Sequence, residues 1–376
     1  MRLTRLLDAW TPIVVLAALV GAVGGATHLW GSVNLQRQAV TMLIYVVIVV
    51  GLYVFVGNSG VLSFGHVTFV AIGAYVTALV TIPPEIKHAV YSKLPAFFSD
   101  LHLSPLLGLL VGGAAAGIFG LLIGVPMNKL PAVTLGLAMF ALLIATNVVE
   151  AQGTALVTGG QTSVFGIPGS TAMLSAFVFA SLTIVVAFVY QRSRVGLLLR
   201  AAREDEFAAR ASGINIVRSR LGAFVLSAFL MGIGGGLYVQ FLGTLDPTTF
   251  FFDTTLITLA MLVVGGIGSL TGAVIGTVTL SVVLAWLQEL ENGFHLFGAF
   301  VPARPGLTAV GLGVAMLLIL VWRPDGLSRS REIPPVSMWM TSLRHQRRGG
   351  SSDVISDREE HELDSERVLA REVAER

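Results

Sequence analysis

The sequence predicts an all-α, polytopic integral membrane protein. It has 8–10 transmembrane helices, a glycine-interrupted and possible re-entrant segment, and pseudo-repeated halves. Three observations carry this. The chain of 376 residues is 54% hydrophobic and only 12% charged, where a soluble domain carries about 25%. Its apolar residues gather in runs close to the roughly 20 needed to cross a bilayer. Its charges are segregated: nearly half follow Trp322, and the one long polar stretch inside the apolar part is Arg192–Arg220.

The candidate spans are Pro12–Trp30, Ala39–Val56, Val61–Ile82, Pro105–Val125, Ala132–Glu150, Thr171–Tyr190, Leu221–Leu242 and Gly306–Trp322. Thr254–Glu289 is too long for one span and is interrupted at Gly265-Gly266-Ile267-Gly268-Ser269-Leu270-Thr271-Gly272, so it reads as two short spans or a re-entrant pair. Gly24-Gly25-Ala26 resembles a cleavage region, but the later spans need the first helix to set their parity, so it is kept as a span.

Lysine and arginine mark the cytoplasmic side. Arg2 and Arg5 place the N-terminus there, and alternation then places Lys129 and Arg192–Arg220 on the same side. The stretches Ala151–Ser170 and Gly243–Asp253 hold no lysine or arginine and fall outside. The arginine-rich C-terminus is expected inside, so the number of crossings is even: ten with two spans in Thr254–Glu289, eight with a re-entrant pair.

Within the polar loop, Ala201–Ala211 consists of strong helix formers. Glu204, Asp205 and Glu206 near its start and Arg210 near its end complement the helix dipole. Gly213 supplies a C-cap. The spacing predicts one helix of about three turns outside the membrane. With Ala208 and Ala209 it offers a small-residue face able to enter a groove on a soluble partner; the alternative is an ordinary connection.

Glycines recur at matched places. Gly57, Gly60, Leu62 and Ser63 return as Gly265, Gly268, Leu270 and Thr271, all at an offset of 208. Matching glycine-interrupted apolar segments in two halves point to a midplane pathway in repeat-built transporters, with Ser63 and Thr271 able to bond freed backbone groups. The alternative is small-residue helix packing. His66 lies within an apolar stretch and is a functional candidate, or else a neutral imidazole bonded near a helix end. Glu150 and Glu289, at span ends, are expected to meet water.

These segments resemble the branched-chain amino acid ABC transporter permeases of the LivM type. Arg200-Ala-Ala-Arg-Glu-Asp-Glu, then Ala208-Ala209 and Gly213-Ile214-Asn215, resembles that family's coupling loop. Gly57-Asn-Ser-Gly-Val-Leu-Ser-Phe-Gly-His66 is similar to its G-x-x-G-x-L-S-x-G-H segment. Thr158-Gly159-Gly160 followed by Gly166-Ile167-Pro168 is similar to its periplasmic loop. Val264–Gly272 is similar to its G-G-x-G-[ST]-x-x-G segment, and Arg323-Pro324-Asp325-Gly326-Leu327 to its ending. The likeness runs from about Leu35 to Leu327. The sequence departs from the pattern at Asn128–Leu135 and in the length of its tail.

The resemblance implies a permease subunit of an ATP-driven importer in the bacterial cytoplasmic membrane, moving branched-chain or related amino acids. Urea or short amides are alternatives within the same family. Arg203, Glu204, Asp205, Glu206, Ala208, Ala209, Gly213 and Ile214 would couple to the ATPase. Gly57, Gly60, Ser63, Gly65, His66, Gly265, Gly268 and Thr271 would line or adjoin the pathway, and Thr158, Gly159 and Gly160 would form a periplasmic loop. Its partners would be a second permease subunit, two ATPase subunits and an extracytoplasmic binding protein, with no nucleic acid. Residues 1–327 would form the permease domain, with its coupling loop at 191–220. Residues 328–376 would be a polar, disordered cytoplasmic tail, with a docking segment as the alternative.

The sequence also excludes functions. No G-x-x-x-x-G-K-[ST] loop occurs, so the chain is not expected to be an enzyme or to hydrolyse ATP, which its partners would use. It has no cysteine, no paired-carboxylate or triad pattern and no metal-ligand spacing, so no catalytic residue, metal or bound cofactor is expected. An ion-coupled carrier would want charged groups within the spans, and a channel leaves the polar loop unexplained.

Overall fold

The computed structural model describes residues 2–90, 99–152, 163–291, 294–296, 299–301, 306–323, 326–328 and 332. In chain order the helices are α1 (Arg2–Trp30), α2 (Val33–Ser59), α3 (Val67–Thr81), α4 (Pro84–Val90), α5 (Pro105–Met127), α6 (Ala132–Gln152), α7 (Met173–Arg192), α8 (Arg194–Glu204), α9 (Glu206–Ala211), α10 (Ile216–Leu242), α11 (Phe252–Gly265), α12 (Leu270–Glu291) and α13 (Leu307–Trp322). Two short antiparallel pairs accompany them. One joins β1 (Val164–Phe165) to β2 (Thr244–Leu245), with Val164 opposite Leu245. The other joins β3 (Phe294–Leu296) to β4 (Ala299–Val301).

Among the described residues, six helices are long and apolar enough to cross a membrane, and four more apolar helices are shorter. The protein is an all-α, multi-pass membrane protein. The four shorter apolar segments lie in α1, α3, α11 and α13. Two of these, α3 and α11, flank backbone breaks. The third predicted span, Val61–Ile82, begins its helix only at Val67, because residues 60–66 leave helical geometry. Thr254–Glu289 resolves into α11 and α12, separated by Gly266–Ser269.

The bundle is centred on α2, which from Ala39 onward is buried around nearly its whole circumference. A helix that is apolar all round belongs in such a position. Helix α10 packs against α2, α3 and α5. Small residues permit the close approach: a Cβ on Gly235 would lie 2.0 Å from the Val70 carbonyl oxygen, and one on Gly73 2.2 Å from that of Gly232. In lipid, where water does not drive helices together, such packing holds a bundle. Outward-facing Ile118, Leu122, Val133, Leu174 and Leu317 remain exposed on α5, α6, α7 and α13, the pattern of a lipid-facing surface.

The two ends of the bundle differ. One carries α8, α9 and both backbone breaks. At the other, Gln240 of α10 donates to the Pro105 carbonyl (2.9 Å), Ser170 bonds Gln240 (3.0 Å), and β1 pairs with β2.

Candidate functional site

The polar loop forms an elbow, and its joints are set by local chemistry. Ser193 turns the chain out of α7: its Oγ donates to the Tyr190 carbonyl (2.6 Å) and accepts from the Gly196 amide (3.2 Å), capping α8. The single helix expected over Ala201–Ala211 is broken at Asp205, where the backbone is extended (φ −148°, ψ 106°). Asp205 Oδ1 accepts from the amides of Phe207 and Ala208, each at 2.9 Å, and so starts α9. Aspartate competes with the helix for backbone donors and is worth more at a cap.

Gly213, at φ +79°, closes α9. Its amide donates to the Arg210 carbonyl (3.0 Å) and the Ile214 amide to that of Ala209 (3.1 Å). This is a Schellman closure, and its hydrophobic contact is present: Ile214 packs against buried Ala202, Ala209 and Ile216. Ala208 is exposed but Ala209 is buried, so the expected common face of the two alanines does not form. The outward apolar group is Phe207, 87% exposed, flanked by exposed Glu204 and by Glu206, which pairs with Arg210.

Two arginines tie the elbow to the bundle. Arg203 Nη1 donates to the Gly57 carbonyl at 2.7 Å, and its aliphatic stem covers Gly60. Arg200 Nε donates to Asn58 Oδ1 (2.8 Å), while its Nη2 donates to Tyr53 Oη (2.7 Å) and Gln191 Oε1 (2.8 Å). Tyr53 in turn donates to Gln191 (2.8 Å). Neutral acceptors on α2 and α7 thus hold a guanidinium of α8. Sequence reading gives Arg200, Tyr53, Asn58 and Gln191 no role of their own. Polar Asn58 and Gln191 at the ends of apolar spans were the available signal.

The two glycine breaks meet here. A Cβ on Gly57 would lie 2.9 Å from the Ile267 carbonyl oxygen and 2.3 Å from Tyr53 ring carbons, so only glycine fits between them. Gly60 ends α2 at φ +71°. Beyond it, buried Ser63 bonds His66 Nδ1 at 2.6 Å, and the imidazole sits among Phe55, Phe69 and Phe224 with ring centroids 4.7–5.5 Å apart. Gly65 lies against the Met139 backbone. In the second break, Gly265 packs on the Gly272 backbone, Gly268 is half-buried and Thr271 is buried in the first turn of α12. Ser63 and Thr271, matched by the offset of 208, therefore occupy different local structures.

The chain end braces the second break. Leu327 and Ser328 amides donate to the Val264 and Gly265 carbonyls at 2.8 and 3.1 Å, satisfying the open end of α11. Thr158, Gly159 and Gly160 lie outside the described residues. Glu289 is exposed as expected, but Glu150 is 4% exposed and makes no hydrogen bond or ion pair among the described residues. A cavity of about 450 Å³ lined by Thr27, Gln38, Met42, Trp286 and Glu289 opens at the other end and contains none of the predicted site residues. Among the described residues no cluster of metal-ligating side chains occurs.

Residues 34–321 match the family described as the permease component of branched-chain amino acid transport systems. The chain belongs to this family. The permease is similar to the LivM permease protein of a high-affinity branched-chain amino acid transport system from Salmonella typhimurium, with 30% identity over 336 residues, 79% of this chain and 70% of the relative. It shows 30% identity to the corresponding Escherichia coli protein, over 77% of this chain and 68% of the relative. A LivH permease protein from Methanocaldococcus jannaschii is 28% identical over 42% of this chain and 47% of its own. No solved structure matches the permease significantly.

Proposed function

We propose that the chain is a permease subunit of an ATP-driven importer that carries branched-chain amino acids into a bacterial cell. It works with a second permease subunit, two ATPase subunits and an extracytoplasmic binding protein. The relatives named LivM and LivH support the substrate class and the pairing of permeases. The positive-inside distribution of Arg2, Arg5, Lys129, the arginines of α8–α10 and those after Trp322 supports a cytoplasmic location for both chain ends and the elbow.

The observation that carries the reading is the attachment of the elbow to the breaks. An exposed apolar residue, Phe207, stands at the tip of a short rigid element. Behind it, Arg200 and Arg203 grip the end of α2, at the point where the two glycine breaks touch. Force applied to α9 by a moving ATPase passes to α8, on which α9 packs, and from there to Gly57 through Arg203. Hydrogen bonds to charged groups contribute about 1.5–3 kcal/mol each, enough to move α2 with α8 rather than let them slip. The role of this chain is mechanical: it binds no nucleotide and relays the motion that its partners draw from ATP.

The experiment is uptake. Proteoliposomes holding the assembled complex, with ATP inside and binding protein outside, should accumulate labelled leucine. Accumulation of urea or acetamide instead of leucine would reassign the substrate, and ATP-independent uptake would remove the importer reading.

A further inference from the structure

Glu332 lies beyond the family-matched segment, which ends at residue 321. Its carboxylate is nevertheless placed at the second break. It accepts from the Leu270 amide (2.8 Å), the Thr271 amide (3.3 Å) and Thr271 Oγ1 (2.9 Å). These donors form the open, positive end of α12, where a carboxylate is stabilised. The same carboxylate stands 4.0 Å from Arg200 Nη2, both side chains being 31% exposed. Helix α8 packs on α2, α7, α9 and α10, and Glu332 extends that set to α12. Its position is fixed nearby in the chain, because Leu327 and Ser328 are bonded to the end of α11.

We propose that Glu332 is a positioning residue for transport: it joins α8 to the first turn of α12, so that displacement of the elbow moves the second glycine break together with the first. The first break is held by Arg203 through Gly57, the second by Arg200 through Glu332. One short helix thereby commands both. The consequence for transport rests on the importer reading, whereas the physical link does not.

The chain has no cysteine, so paired cysteines introduced for spin labels meet no competing thiol within it, and the chain is labelled before its partners are added. In the full-length chain, assembled with its partners in lipid nanodiscs, one pair at Ala208 and Val278 reads α9 against α12. A second pair at Ala208 and Leu62 reads α9 against the first break. Glu332→Ala should at least double the width of the first distance distribution and leave the second unchanged, and Glu332→Gln should fall between. Unchanged width in the first pair, or equal broadening in both, overturns the proposal, the latter because Glu332 would then support the elbow as a whole. In the uptake assay, leucine carried per ATP hydrolysed should fall at least fivefold in Glu332→Ala and recover in part in Glu332→Gln; an unaltered ratio also overturns it. If the unmodified complex shows no ATP-driven uptake, the importer reading fails while the label pairs still decide the link.

Discussion

Arg203 and Gly57 are 146 residues apart in the chain, and one hydrogen bond of 2.7 Å joins them. Gly57 in turn abuts the carbonyl of Ile267. Three segments distant in sequence, the elbow and both glycine breaks, therefore share one contact point. Arg203→Gln keeps much of the stem and loses the charge-assisted bond. Leucine uptake should fall about tenfold or more, in line with the 1.5–3 kcal/mol of such bonds, while the assembled complex is recovered in normal amount by size-exclusion chromatography.

Gly57→Ala inserts a methyl where Tyr53 and Ile267 leave no room. Tyr53 cannot rotate away cheaply, because its hydroxyl is bonded to Gln191 and Arg200. Overpacking of this kind costs about 1–3 kcal/mol. The thermal midpoint of the purified chain should drop by several degrees. An unchanged midpoint would show that the two breaks do not bear on each other.

Ala209 and Ala208 should behave differently despite their adjacency. Ala209→Glu puts an unpaired charge into the cluster with Ala202 and Ile216, so α9 should unfold locally and become sensitive to protease. Ala208→Glu points to solvent and should leave the elbow protease-resistant. Equal sensitivity of the two variants would contradict the burial pattern.

Much of the fold was legible because each span is a local property. An apolar run of sufficient length declares itself, and Gly213 closes α9 as its position predicts. What escaped the sequence depends on distant partners or on competition at one residue. Asp205 breaks the helix because its own side chain captures two amides. Ala209 turns inward because Ile216 comes from the next helix. The grip of Arg200 on Asn58 bridges 142 residues, and only the polar Asn58 and Gln191 at span ends hint at it. Glu150, expected to meet water, is buried instead.

That buried carboxylate gives a prediction of opposite sign. Glu150 makes no hydrogen bond among the described residues, and a buried charge without a partner is costly. Glu150→Gln should leave the thermal midpoint unchanged or raise it. A fall of several degrees would mean that the carboxylate is paired in the membrane.

On the proposed function, the elbow receives the ATPase subunits through its exposed tip. Phe207 is 87% exposed and takes no part in the buried Ala202–Ala209–Ile216 cluster, so Phe207→Ala should fold and insert normally. The decisive measurement is co-purification of the ATPase subunits with an affinity-tagged Phe207→Ala chain, quantified against the unmodified chain in the same membranes. The sister permease should be retained and the ATPase subunits lost by about tenfold. Retention of both ATPase subunits at the unmodified level would contradict that role of the elbow.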